Sequence, residues 1–184
     1  SQNLAGLNTP LVGGGQHLDL VNMSGRDGGL FGSDVAGIGD LNGDNIPDLV
    51  VGNLGDDDGN TNCGAAWILF LTNTGQVQGW QIISATTGNF NGSLNKNDFF
   101  GIAVDAIGDL DGDNVMDIAV GAYGDDDGDT DVGAVYILFM NANGTVKGHQ
   151  KISATAGGFT GTLVKKDYFG SEVAAAGDVT NDGV

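Results

Sequence analysis

"FGSDVAGIGDLNGDNIPDLVVGN" occupies residues 31–53, and "FGIAVDAIGDLDGDNVMDIAVGA" occupies residues 100–122, 69 residues later. "FGSEVAAAGDVTNDGV" at residues 169–184 begins a third copy. Self-similarity at a fixed spacing is the signature of repeat architectures, in which each unit is one supersecondary element. The repeat predicts four consecutive parts of the chain. Residues 1–30 are the remnant of a preceding unit or an N-terminal strand, residues 31–99 and 100–168 are full units, and residues 169–184 are the start of a third unit.

Each full unit contains four short apolar segments that favour β-strands. These segments are 35–38, 49–52, 65–71 and 77–84 in the first unit, and 104–107, 118–121, 134–140 and 146–153 in the second. Four short antiparallel strands per repeat describe a blade of a β-propeller, so the predicted fold class is all-β. One blade cannot bury both faces of its sheet alone. We therefore expect a segment of a larger propeller, completed by neighbouring blades from the same longer chain or from other copies.

The composition excludes several classes of function. The formal net charge is −18, with 24 acidic and only 6 basic residues, whereas nucleic-acid binding needs clustered Lys and Arg. No apolar run approaches the roughly 20 residues of a membrane-spanning helix. No arrangement of Ser, His and Asp, no Cys–His pair and no phosphate-binding Gly-Lys loop repeats or clusters in the sequence. The sequence therefore predicts a non-catalytic protein that neither binds nucleic acid nor spans a membrane.

Asp or Asn alternates with small residues in the loop between the first two predicted strands of each unit. Positions 1, 3, 5 and 9 are Asp40, Asn42, Asp44 and Asp48 in the first loop, and Asp109, Asp111, Asp113 and Asp117 in the second. Such side chains can converge on one point, joined by the backbone carbonyl of position 7, which is Ile46 or Val115. The third loop offers Asp178, Thr180 and Asp182. Position 6 must turn sharply with a positive φ, which Asn45 and Asn114 tolerate well.

These all-oxygen donor sets favour Ca²⁺, which takes 6–8 oxygen ligands. Mg²⁺ fits less well because it demands a small octahedral cage, and Zn²⁺ is disfavoured without Cys or His ligands. The alternative is an acidic turn without an ion. Clustered carboxylates repel one another unless a cation lies among them, so the ion-free alternative is the weaker one. Thr180 in place of Asp or Asn weakens the prediction for the third loop.

The combination of Phe-Gly, the acidic loop, "DLVVGN" or "DIAVGA", and then "GAVYILF" resembles the FG-GAP repeats of integrin α-subunit β-propellers and their bacterial relatives. The resemblance covers residues 31–184. It implies that the loops bind structural Ca²⁺ through the ligands given above, while partners bind elsewhere. It also implies an extracellular or cell-surface protein used for adhesion or protein–protein recognition. The Pro of the family's name is missing, because the chain reads "GNL" at 52–54 and "GAY" at 121–123.

Other interpretations stay open at this point. The propeller can instead bind carbohydrate or be attached to an enzyme, so that the cell-surface ligand is a glycan, or it can form a surface layer or filament. The acidic runs at 55–64 and 124–133 are either a second cation site in each blade or solvated loops. Trp67 and Tyr136 are expected in the core rather than as sugar-stacking platforms. Asn22, Asn91 and Asn143 match the N-glycosylation pattern, although turn chemistry explains them better.

Overall fold

The computed structural model describes residues 29–177. Asn22, most of the predicted remnant at 1–30, and the third-loop residues Asp178, Thr180 and Asp182 lie outside the described residues. Within the described range all eight regular elements are strands: β1 (Phe31–Gly39), β2 (Asp48–Asn53), β3 (Ala65–Leu71), β4 (Val77–Ile83), β5 (Val104–Gly108), β6 (Asp117–Ala122), β7 (Ala134–Met140) and β8 (Val146–Ile152). No helix in this range is long and apolar enough to cross a membrane.

The strands form two four-stranded sheets, ordered β1-β2-β3-β4 and β5-β6-β7-β8. Every neighbouring pair is antiparallel, so each sheet is a meander of consecutive hairpins. This architecture confirms the prediction of an all-β fold made of propeller blades. We refer to the two sheets as the first and second blades.

The first strands of the two blades differ in length. β1 begins at Phe31, four residues before its predicted start, because Phe31 pairs with Asn53 beyond an irregularity in the register. The equivalent Phe100 instead forms an isolated parallel bridge to Gly64, at the start of β3 in the preceding blade. β5 therefore begins only at Val104. The second Phe-Gly motif thus bridges the two blades, because the N–H of Gly101 also donates to the carbonyl oxygen of Gly121 in its own blade at 2.9 Å.

Both faces of the first blade carry apolar side chains, because residues of a strand alternate between the two faces. Ala66 and Ile68 belong to a large buried cluster that also contains Tyr136 of the second blade. Trp67 belongs to a second cluster on the opposite face, where its ring meets Phe31 edge-on at 5.5 Å between centroids. Trp67 and Tyr136 are each only 1% exposed, which confirms that they are core residues.

The connector after β4 packs onto the next blade. Phe90 in this connector stacks on Phe100 with ring centroids 5.3 Å apart, and it meets Tyr136 edge-on at 5.6 Å. The pattern recurs one unit later, where Phe159 stacks on Phe169 at 5.4 Å. Aromatic pairs at these separations are favourable beyond the area that they bury. The connector is therefore part of the core between blades.

The Phe-Gly dipeptide forms the backbone joint between the blades. The N–H of Phe100 donates to the carbonyl oxygen of Cys63 at 3.0 Å, and the hydroxyl of Ser33 donates to the carbonyl oxygen of Gly101 at 2.7 Å. That same Gly101 oxygen lies only 2.0 Å from where a Cβ on Gly52 would be. The joint therefore requires glycine at position 52, since any side chain there would overlap the backbone of the next blade.

Asn143 has a structural role in the turn between β7 and β8. Its side-chain oxygen accepts hydrogen bonds from the backbone N–H of Thr145 at 3.1 Å and from the Thr145 hydroxyl at 2.7 Å. This is the turn chemistry that Asn provides when it bonds the backbone two residues further on. Asn91 lies exposed in the connector between the blades.

A buried acid lies in the same connector. Asp98 is 1% exposed, and its carboxylate accepts the N–H of Asn95 at 2.7 Å. Burial, together with the negative charge of Asp125, raises the pKa of Asp98 to about 6. The folded chain therefore retains this proton across a pH range in which an unfolded Asp has already lost it.

We expect Asp98→Asn to stabilise the protein at pH 8 by about 3 kcal/mol at most, the free energy of a two-unit pKa shift. Because the folded pKa is raised, the contribution of Asp98 to stability is greatest at low pH and falls as the pH rises from about 4 to about 6. Asn cannot ionise, so the variant escapes that loss. Urea unfolding in calcium-free buffer at about pH 4 and at pH 8 measures the difference. The control is Asp167→Asn, which changes the exposed counterpart that accepts the N–H of Val164; an equal gain there would contradict the explanation.

Candidate metal centre

The first residue of each acidic loop organises the loop backbone. The carboxylate of Asp40 accepts three backbone N–H groups, from Gly43 at 2.8 Å, Asp44 at 2.9 Å and Asn45 at 2.7 Å. Asp109 accepts the equivalent three N–H groups at 2.7–3.0 Å. The loop can curl back on its first residue because Asn45 and Asn114 have φ values of 67° and 65°. The predicted positive φ at position 6 is thus confirmed.

The middle of each loop is held by short-range hydrogen bonds. One oxygen of Asp44 accepts the N–H of Ile46 at 2.9 Å, and one oxygen of Asp113 accepts the N–H of Val115 at 2.9 Å. Asn42 accepts the N–H of Asp44 at 2.9 Å. Asp and Asn suit these positions better than the longer Glu because their short side chains can hydrogen-bond the backbone two residues further on. They bring the polar side chains of positions 3 and 5 close to the backbone of position 7.

The last residue of each loop is completely buried and joins the loop to the sheet. Asp117 accepts the N–H of Leu110 at 2.9 Å through one oxygen and the N–H of Met140, at the end of β7, at 2.9 Å through the other. Asp48 makes the same two bonds in the first blade, to Leu41 at 3.2 Å and Leu71 at 3.0 Å. Burial raises the pKa of both aspartates. A carboxylate held in this way is both a scaffold and an acceptor that faces the loop.

Three carboxylates converge in the second loop. Ligand oxygens of Asp109, Asp111 and Asp117 all lie within 4.8 Å of one another. This arrangement can hold a metal ion, and an all-carboxylate oxygen set suits a hard cation such as Ca²⁺. The first loop has the same backbone geometry, with Asn42 at the position of Asp111. The side chains of the second loop therefore fit the ion that the loop pattern predicts, although Asp113 lies outside the converging set. Among the described residues, no equivalent set of three carboxylates converges in the first loop.

A lysine that the sequence analysis missed lies against the second loop. The ammonium group of Lys147, near the start of β8, lies 2.5 Å from Asp111 and also pairs with Asp113. Its hydrogen bond lowers the pKa of Asp113. In the first blade the equivalent residue is Gln78, whose amide donates to Asp44 at 2.9 Å. The only signal in the sequence was that both residues occupy the second position of the predicted fourth strand.

The second acidic run of each blade is bonded to residues at or just beyond the end of that blade's own fourth strand; in the first blade Asp58 accepts the hydroxyls of Ser84 and Thr86. In the second blade Asp127 accepts the hydroxyls of Ser153 and Thr155, each at 2.5 Å. The Lys151 ammonium lies 2.9 Å from Asp125 and 3.4 Å from Asp127. The first of these hydroxyl bonds, to Ser153, is the main cause that lowers the pKa of Asp127. These hydrogen bonds hold the acidic run against the end of β8, and the Lys151 ammonium balances part of its negative charge.

Comparison with known proteins gives one family. A family model described as the FG-GAP repeat matches residues 31–69 and 100–138. No curated protein matches the chain. Each matched segment begins at the Phe-Gly joint, includes one acidic loop and ends within the third strand of its blade. The chain therefore contains two FG-GAP repeats, each folded as part of a four-stranded antiparallel blade.

Proposed function

We propose that the chain is a calcium-stabilised extracellular β-propeller module of the integrin-like kind, used for adhesion or protein–protein recognition and without catalytic activity. The observation that carries the proposal is the convergence of Asp109, Asp111 and Asp117 in the second loop. FG-GAP repeats commonly bind calcium, and they suggest interaction with other proteins. The same backbone geometry in the first loop supports one ion per described blade.

The ligands that we propose share a position in the loop. They are Asp40, Asn42, Asp44, Asp48 and the Ile46 carbonyl in the first blade, and Asp109, Asp111, Asp113, Asp117 and the Val115 carbonyl in the second. The first and last aspartates are held in place by backbone N–H groups, so their oxygens need little reorganisation. Five protein donors leave room for water in the 6–8 positions that Ca²⁺ prefers. The ion would neutralise carboxylates that otherwise repel one another.

We expect removal of calcium to lower the melting temperature by about 10 °C or more. A ligand present at 100 times its dissociation constant stabilises a protein by about 2.7 kcal/mol per site, and two sites would add. One kcal/mol corresponds to about 2–4 °C in a chain of this size. Differential scanning calorimetry in excess calcium and in excess chelator measures the shift, while titration calorimetry measures the number of sites.

The matched control is Asp129→Asn, which removes one exposed carboxylate from the second acidic run and none from the proposed ligand sets. It should keep the calcium-dependent shift of the parent chain. Magnesium at the same concentration should reproduce little of that shift, because Mg²⁺ demands a smaller octahedral cage. Equal melting temperatures in calcium and chelator, with no heat of calcium binding, would refute calcium stabilisation.

The extracellular assignment follows from the affinity expected of such sites. Calcium sites of extracellular modules have dissociation constants of roughly 10⁻⁴–10⁻³ M, which resting cytosolic calcium would rarely fill. Trp67 and Tyr136 are buried in the core, where neither ring can stack on a sugar, so a glycan would have to use another aromatic side chain such as Trp80, which is 43% exposed. Parallel binding screens against extracellular protein fragments and against a glycan array, both in calcium, distinguish the two classes of partner.

A further inference from the structure

The two acidic loops have different electrostatic surroundings. In the second loop the ammonium of Lys147 pairs with both Asp111 and Asp113, the residues at positions 3 and 5. The Lys147 side chain is 38% exposed, so it lies at the rim of the loop and can withdraw into solvent. It therefore places a positive charge at the same carboxylates that would bind an ion, and it can leave them when an ion binds.

The first blade has a neutral version of the same contact. Gln78 occupies the position of Lys147, and it donates to the Asp44 carboxylate at 2.9 Å and to the carbonyl oxygen of Leu71 at 2.8 Å. Position 3 is the neutral Asn42 rather than Asp111. The two blades thus differ by a matched pair, Asn42 with Gln78 against Asp111 with Lys147. The extra carboxylate of the second loop is accompanied by an extra ammonium, so both loops with their fourth-strand partner have the same formal charge.

We propose that Lys147 is a built-in competitor of calcium at the second loop, which holds Asp111 and Asp113 together when the ion is absent and yields them when it binds. This inference rests on the proposed calcium binding. The Asp111–Lys147 pair then sets the calcium affinity of the second blade and makes its folded state less dependent on calcium. The first blade, with Asn42 and Gln78, has no such internal cation among the described residues.

The competition predicts effects of opposite sign with and without calcium. Lys147→Gln removes the counter-charge from the ion-free loop, so the variant should melt below the parent chain in excess chelator. The same change removes a charge that repels Ca²⁺ from a partly exposed loop, where a unit charge a few ångströms away changes affinity by about tenfold. The variant should therefore bind calcium about tenfold more tightly at one site and show a larger calcium-dependent shift in melting temperature.

The experiment compares four chains by titration calorimetry and scanning calorimetry. They are the parent, Lys147→Gln, the double variant Asp111→Asn with Lys147→Gln, and Lys165→Gln. The double variant gives the second blade the side chains that the first blade has at loop position 3 and at the position of Lys147, namely Asn and Gln. The calcium affinities of its two sites should therefore become nearly equal. Lys165→Gln is the charge control, because Lys165 is exposed in the connector after β8 and far along the chain from either loop. It should leave both the affinity and the chelator melt unchanged.

The outcomes separate this inference from the calcium proposal. Tighter calcium binding by Lys147→Gln, together with a lower melting temperature in chelator, supports the competition. Calcium binding by the parent with unchanged affinity in Lys147→Gln overturns the competition and leaves the calcium proposal standing. A lower melting temperature in both calcium and chelator, with no gain in affinity, assigns Lys147 a purely structural role and also overturns it. Absence of calcium binding by every chain overturns both.

Discussion

Gly52→Ala should separate the two blades and lower the melting temperature by about 10 °C or more, as expected for a loss of about 4 kcal/mol in a chain of this length. An added Cβ would lie 2.0 Å from the carbonyl oxygen of Gly101 and 2.7 Å from the hydroxyl oxygen of Ser33. The first of these atoms is backbone, so the overlap cannot be relieved by a change of rotamer. The Phe-Gly joint would have to move, and with it the buried ring of Phe100.

Gly37→Ala is the matched control for that prediction. Gly37 lies exposed in β1, and a Cβ there would meet nothing within 4 Å. Its replacement by alanine should change stability by less than about 1 kcal/mol, and the sign should favour alanine because glycine loses more backbone entropy on folding. Thermal unfolding of both variants by circular dichroism makes the comparison. Similar melting temperatures for the two variants would show that the close approach of the blades is not needed for stability.

Asp117→Ala should be the most damaging change among the proposed ligands, with an expected loss of about 3–5 kcal/mol. The substitution leaves the N–H groups of Leu110 and Met140 buried without their acceptor, and each such group costs about 1–3 kcal/mol. It also removes a proposed calcium ligand. The loss should therefore be present in excess chelator and should grow when calcium is added to the parent and the variant alike.

Denaturant unfolding of Asp117→Ala in chelator isolates the scaffold contribution from that of the ion. Asp129→Asn, which removes an equal charge from an exposed loop residue, corrects for the general reduction of negative charge. Asp48→Ala in the first blade should behave in the same way, because Asp48 makes the equivalent pair of bonds. A stability in chelator equal to that of the parent would contradict the scaffold role of the carboxylate.

The loop geometry was largely predictable because it depends on local chemistry. Within the loop, Asp and Asn side chains bond to backbone groups a few residues further on, so Asp109 reaches Gly112, Asp113 and Asn114. Positive φ at Asn114 follows from the same turn. The identity of the side chain that approaches from β8 was not predictable, because Lys147 is 34 residues from Asp113 and meets it only once the sheet has formed. Long-range contacts of this kind carry no signal in the spacing of the loop itself.

The 69-residue repeat, the alternation of apolar residues and the acidic loops were enough by themselves to establish an all-β chain of four-stranded blades with two equivalent oxygen-rich loops. These properties follow from periodicity and short-range hydrogen bonding, both of which can be read directly from the order of the residues. Only the tertiary structure decided that Phe100 pairs with the preceding blade, that Asp98 is buried in the connector, and that Lys147 pairs with the second loop. The first two depend on how one sheet packs on the next, and the third depends on how β8 is placed beside the loop between β5 and β6 of the same sheet. Both are set by shape and charge across many residues at once.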